Sequence, residues 1–241
     1  MSMTMSMTKS ALVALMPAVA LAAGLCASGA ADASTLEYQI LVDGTVVGSG
    51  SSTSGQILNV NGSSSLFSTL NIGTVTGVPV YPSPDLSSST TSISTSASFG
   101  STHTLEIDIT QVGLTSPTGL VNFANTLTLN NLLNAPSSAG VTASYSNYVD
   151  PNDGAYAKTT SVASLTGVAK TSSSNGAGTG AYVDVGVKQY SETQVLVATF
   201  TGSNETLSTT NQMTGTPVPE PGSLAILGAA ISGLAFLRRR L

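Results

Sequence analysis

The sequence predicts an all-β protein: an antiparallel β-sandwich or jelly-roll-like domain, flanked by an N-terminal signal helix and a C-terminal transmembrane helix. Three observations predict it. Apolar residues in the body recur with a period of two rather than 3.6, the pattern of half-buried strands. Turn dipeptides such as Asp43-Gly44 and Asn61-Gly62 punctuate the short apolar runs. The two long apolar stretches, Ala11 to Leu25 and Ser223 to Leu237, sit at the two ends.

The first element is an export signal over residues 1–33. Lys9 supplies a positive start, Ala11 to Leu25 is the apolar core with a single Pro17, and Ala31-Asp32-Ala33 has the A-x-A form of a cleavage site, with the cut after Ala33. Cys26 follows Leu25, where lipid-attachment sites carry Gly or Ala. The cut removes this one cysteine, so the exported protein has no thiol.

The body, residues 34–202, is read as one β domain. Leu36, Tyr38, Ile40 and Val42 alternate with other side chains, then Asp43-Gly44 turns the chain into Thr45-Val46-Val47. Ile57 to Val60 meets Asn61-Gly62, and Ser65 to Ile72 runs back. Leu105, Ile107 and Ile109 alternate with Glu106 and Asp108. Asn122 to Leu129 is a strand with Phe123, Leu127 and Leu129 inward. Val183, Val185 and Val187 form one buried face, and Val195 to Phe200 reads as a strand covered on both sides. Asn130 to Ala135 is expected to make a turn of helix. Pro79 to Pro84, Ser87 to Ser98 and Thr171 to Gly180 read as loops or low-complexity linkers. Residues 203–217 are expected to be a flexible tether.

Composition narrows the function. Of 241 residues only 8% are charged, there is no Trp, and Ser and Thr together number 69. Residues 34–216 hold three lysines against ten acids, a charge of −7. Nucleic-acid binding needs a basic face and is excluded. One Cys and one His cannot build a disulfide scaffold or a Cys/His zinc site. No cofactor is expected.

Four groups carry candidate chemistry. His103 is the only histidine, so any Ser-His-acid triad must use it. Glu106 and Asp108 share one strand face at i and i+2, whereas glycosidase carboxylates face each other across a cleft. Asp150, Asn152 and Asp153 resemble the opening of a calcium loop, but position twelve is Ser161 rather than Glu. Several of Tyr145, Tyr148, Tyr156, Tyr182 and Tyr190 in one groove would mark a carbohydrate-binding module. Thr102-His103-Thr104 and Thr126-Leu127-Thr128 are T-x-T steps without a fixed period along the chain.

The tail, residues 218–241, has three parts in a fixed order. Val218-Pro219-Glu220-Pro221 is held extended by two prolines, with Glu220 as its only charge. Ser223 to Leu237 follows, fifteen residues without a charge. As a helix it would be about 23 Å long, short for a bilayer core of about 30 Å. Arg238, Arg239 and Arg240 then act as a cytoplasmic stop. This arrangement resembles the PEP-CTERM sorting signal of Gram-negative bacteria that make extracellular polysaccharide. The resemblance implies an exosortase as partner, a transient stay in the bacterial inner membrane facing the periplasm, cleavage near the motif, and delivery to the cell surface or extracellular matrix.

The resulting expectation is a non-enzymatic surface or biofilm-matrix protein whose body is structural or adhesive. Its partners would be the exosortase, extracellular polysaccharide and copies of itself. A carbohydrate-binding module is the alternative, and a hydrolase the third reading.

Overall fold

The computed structural model describes residues 34–80, 83–133, 141–169, 175–219, 222 and 226–232. The residues of the expected signal peptide, Ala31 and Ala33 included, lie outside them. So do Glu220, Pro221 and Arg238 to Arg240.

The described residues form twelve strands: β1 (Thr35–Val42), β2 (Thr45–Ser52), β3 (Gln56–Asn61), β4 (Phe67–Val80), β5 (Ser83–Thr95), β6 (His103–Leu114), β7 (Leu120–Leu133), β8 (Val141–Asp150), β9 (Thr160–Ala169), β10 (Asn175–Asp184), β11 (Tyr190–Phe200) and β12 (Thr206–Pro217). They make two six-stranded antiparallel sheets. Sheet A has the order β2-β1-β6-β11-β8-β9, and sheet B has the order β10-β7-β12-β5-β4-β3. The last two strands each slot between two earlier ones: β11 between β6 and β8, β12 between β5 and β7. With β9 beside β8 and β10 beside β7, strands β5 to β12 follow the double Greek-key order of a jelly roll. The hairpins β1–β2 and β3–β4 extend one edge of each sheet.

The alternation read from sequence places the core. Leu36, Ile40, Leu105, Ile107, Ile109, Phe123, Leu127, Leu129, Leu196 and Phe200 are all buried. The Asp43-Gly44 turn has φ of 50° and 77°, the two left-handed residues of a tight hairpin. In a chain so rich in hydroxyls and amides, the sheets are also joined by polar pairs. Asn147 of β8 donates to the Asn125 and Asn211 side-chain oxygens at 2.8 and 3.1 Å, and Asn211 donates back at 2.7 Å. Thr209 donates to the Tyr145 hydroxyl at 3.1 Å, and Gln194 donates to the Leu86 carbonyl at 2.6 Å. Burial of the asparagine, threonine and tyrosine groups is tolerated because they satisfy one another.

Several expectations are corrected. Residues 203–217 are not a tether: Thr206–Pro217 is β12, a central strand. Its inward face is Leu207, Thr209, Asn211, Met213 and Gly215, so only two large apolar side chains signal it. The Ser/Thr tract from Ser87 lies mostly in β5. The ladder between β5 and β12 shifts between Leu207 and Thr209, and the inward residues of β5 change from Leu86 and Ser88 to Ile93 and Thr95. That irregularity hides the period of two. Asn130 to Leu133 end β7 rather than start a helix, and Asn175 onward is β10. Pro79 and Pro84 pair across the β4–β5 hairpin. Asn61-Gly62 is not a two-residue turn, since β3 and β4 are joined by residues 62–66. Val187 is 87% exposed, because the chain turns at Gly186 (φ 72°) beyond the end of β10. Among the described residues no helix is long and apolar enough to cross a membrane, so the expected transmembrane helix is without support here. The helical residues 226–232 fall within the apolar stretch where it was expected.

Candidate functional site

His103 opens β6 at one end of sheet A, beside the β1–β2 turn. Both ring nitrogens are engaged. Nδ1 lies 2.6 Å from Asp43 Oδ2, and Nε2 lies 3.0 Å from Ser101 Oγ. Asp43 is itself fixed: its other carboxylate oxygen accepts from the Thr104 amide at 2.9 Å, and its own amide donates to the Thr104 carbonyl at 2.8 Å. The Thr104 amide, and secondarily the imidazole, hold the Asp43 carboxyl below its usual range. Phe99 meets the imidazole edge to face, with centroids 4.9 Å apart, and joins Phe67 and Phe200 in an aromatic cluster. The sequence singled out the histidine but not these partners. Asp43 reads only as a turn residue, and Ser101 is one serine among 37.

Glu106 and Asp108 do share a strand face, but that face is roofed. The segment 151–159 crosses it, with the Asp153 carboxylate accepting from the Gly113 amide at 2.7 Å and the Gly154 carbonyl accepting from Ser191 at 2.8 Å. Lys158 of this roof donates to Glu106 and lies 3.4 Å from Asp108 Oδ1. Gln39 donates to Asp108 Oδ2 at 2.8 Å. Asp108 is only 2% exposed, and this burial raises its carboxyl above the usual range against the pull of Gln39 and Lys158. The Tyr156 phenol is pushed up to about 12 by burial and by the nearby Glu37 and Asp108 carboxylates. The two carboxylates are thus tied by one lysine rather than set across a cleft.

Asp150 and Asn152 are committed to their own loop, and the Asp153 carboxylate to the Gly113 amide of β6. The Asp150 carboxylate accepts from the Gly154 amide, the Asn152 amide and Thr159 Oγ1 at 2.9 to 3.2 Å. Burial opposes ionisation there, but these bonds outweigh it and hold the carboxyl below its usual range. Among the described residues no group of three or more His, Cys, Asp or Glu could hold a metal ion.

The tyrosines do not converge. Tyr145 and Tyr190 are buried in the core, Tyr182 is 68% exposed on β10 of sheet B, and Tyr148 and Tyr156 belong to sheet A and its roof. A polar depression of about 320 Å³ instead lies on sheet B, lined by Thr74, Thr76, Ser87, Thr126, Thr210 and Gln212 among others. Strand pairing sets Thr76, Ser87, Gln212 and Thr126 side by side across β4, β5, β12 and β7. Thr126 of the second T-x-T step joins this rank, whereas Thr104 of the first lies on β6 of sheet A.

At the C-terminal junction, Pro217 pairs with Val121, and the Val218 amide donates to the Leu120 carbonyl at 2.9 Å. The chain leaves a central strand directly into the Val-Pro-Glu-Pro strip. Residues 217–240 match the family model of the PEP-CTERM protein-sorting motif. The chain carries a C-terminal PEP-CTERM signal. The PEP-CTERM motif implies export to the cell envelope or surface, with an exosortase as processing partner. No curated protein matches the chain at a significant level.

Among solved structures the chain has distant likenesses. With the carbohydrate-binding module TmCBM61 in complex with beta-1,4-galactotriose it shares 8% identity, over 58% of this chain and 80% of that one, at a TM-score of 0.26. With the infectious bursal disease virus Gx strain structure it shares 10%, over 79% and 58%, at 0.32. With the enzymatically active domain of bacteriophage CBA120 tailspike protein 4 it shares 12%, over 66% and 19%, at 0.28. At these scores none of them bears on the function of the PEP-CTERM protein.

Proposed function

We propose that this is a cell-surface or extracellular-matrix protein, exported by its N-terminal signal and released by an exosortase acting at the PEP-CTERM motif, with a body that is structural or adhesive. The observation that carries the reading is the sorting motif at residues 217–240, joined without a spacer to β12. The edge strands suit a matrix role. β2, β3 and β9 contain no charged residue, and β10 contains only its terminal Asp184. Charges and prolines are what keep such edges from pairing with other copies, so these four favour self-association.

Glu220 is the one charge in the rigid strip and the group an arginine-bearing enzyme would read as a bidentate acceptor. Glu220→Ala should leave the protein in the membrane fraction of its own cells, while the wild type appears outside. Equal release of both would refute recognition through this carboxylate.

Carbohydrate binding is the second reading, favoured by the hydroxyl and amide rank on sheet B. Its polar groups suit the hydroxyls of a glycan chain. The wild type should be retained on the extracellular polysaccharide of its own cells, and a Thr126→Val, Gln212→Leu variant should elute early. Identical elution would remove this reading.

A further inference from the structure

We propose that Ser101, His103 and Asp43 form a nucleophilic triad that cleaves small carboxylic esters. The inference goes beyond the sorting reading, does not depend on it, and departs from the expectation that the body is not an enzyme.

The geometry has the three parts such chemistry needs: a nucleophile on a base, a base on an acid, and an acid held in place. Ser101 Oγ is 3.0 Å from His103 Nε2, and His103 Nδ1 is 2.6 Å from Asp43 Oδ2. The tautomer follows from the partners. An ionised carboxylate only accepts, so Nδ1 carries the hydrogen and donates it to Asp43. A neutral ring then presents a lone pair at Nε2, and Ser101 donates its hydroxyl hydrogen to it. Asp43 cannot swing away, because it is bonded to the Thr104 amide and carbonyl. It also occupies a left-handed conformation (φ 50°) that a non-glycine residue adopts at a cost. Phe99 braces the imidazole from one side. The three residues come from two places in the chain, the β1–β2 turn and the entry to β6, and the sheet brings them together.

The step balances without any other reactant than water. Ser101 Oγ attacks the carbonyl carbon while its proton passes to Nε2. The ester C–O bond then breaks, and the alcohol leaves with that proton. Water repeats the sequence on the acyl-serine, releasing the acid and restoring the hydroxyl. Ser101 is exposed, so the tetrahedral oxyanion forms close to bulk water, where stabilising dipoles act weakly. That favours an ester, whose alkoxide leaves readily, over an amide. An exposed nucleophile also suits a small acyl group displayed on an accessible polymer.

The test uses the full chain and a fluorophosphonate, which forms an Oγ–P bond as fluoride leaves. Peptide mapping should place the adduct on Ser101. The labelling rate should fall by about 100-fold in His103→Gln, the size of effect that general-base catalysis supplies. It should also fall in Asp43→Asn, which keeps the turn because Asn-Gly favours the same hairpin. Hydrolysis of p-nitrophenyl acetate should be lost in Ser101→Ala, an exposed change that spares the fold. No adduct at Ser101, labelling at an equal rate in His103→Gln, or equal ester turnover in Ser101→Ala would overturn the proposal. None of these outcomes touches release of the protein by its sorting signal.

Discussion

Asp108 shows at the residue scale how a covered strand face changes a side chain. Its carboxylate is buried beneath the 151–159 roof, and burial raises its pKa despite the bonds from Gln39 and Lys158. A carboxyl whose pKa is higher in the folded state binds protons more readily there. Stability attributable to it is therefore present in acid and lost as pH rises through the window above 3.8, the ordinary value. Asp108→Asn removes that penalty and leaves Lys158 with Glu106. Denaturant unfolding should show the variant gaining on the wild type at about pH 7 relative to about pH 3. An unchanged or reversed difference would mean that the Lys158 contact outweighs burial. Residues of this kind are half legible from sequence. The i, i+2 spacing puts Glu106 and Asp108 on one face, but nothing local says that Lys158, 52 residues after Glu106, will cover it. His103 is similar: its rarity marks it, whereas Asp43 and Ser101 gain meaning only when β1 pairs with β6.

At the scale of elements, β12 carries the most consequence. It is hydrogen-bonded to β5 on one side and β7 on the other, and it buries Leu207 and Met213 between the sheets. Those two side chains are worth about 1.5–3 kcal/mol each, before the loss of two ladders, against a total stability of about 5–15 kcal/mol for a domain. A chain ended after Pro219 should keep a cooperative thermal transition, while one ended after Glu205 should show none. Circular dichroism melts of the two would decide it, and a cooperative melt of the shorter chain would make β12 dispensable. The sequence left β12 unread because its inward face is Leu, Thr, Asn, Met and Gly, a polar-looking set that is viable only because Asn211 and Thr209 find Asn147 and Tyr145 across the core. β5 escaped for a different reason, the ladder shift that changes which of its residues point inward. Strands with strong alternation, β1, β6, β7 and β11, were legible because tertiary packing agreed with local pattern.

At the scale of the whole molecule, the fold class and the address were legible, and the order of strands was not. Period-two patterning specifies sheets, but the placing of β11 and β12 between earlier strands depends on contacts far apart in sequence. The assembled molecule is a sandwich whose last strand runs straight into its sorting signal, with edge strands that carry a single charge, the terminal Asp184 of β10. Such a domain can be released intact only if processing leaves β12 whole. Mass spectrometry of the protein released by its own cells tests this most directly. The account predicts a C-terminus within residues 217–221, with β12 complete and Arg238 to Arg240 gone. A released form that keeps those arginines, or one that ends before Thr206, would contradict it.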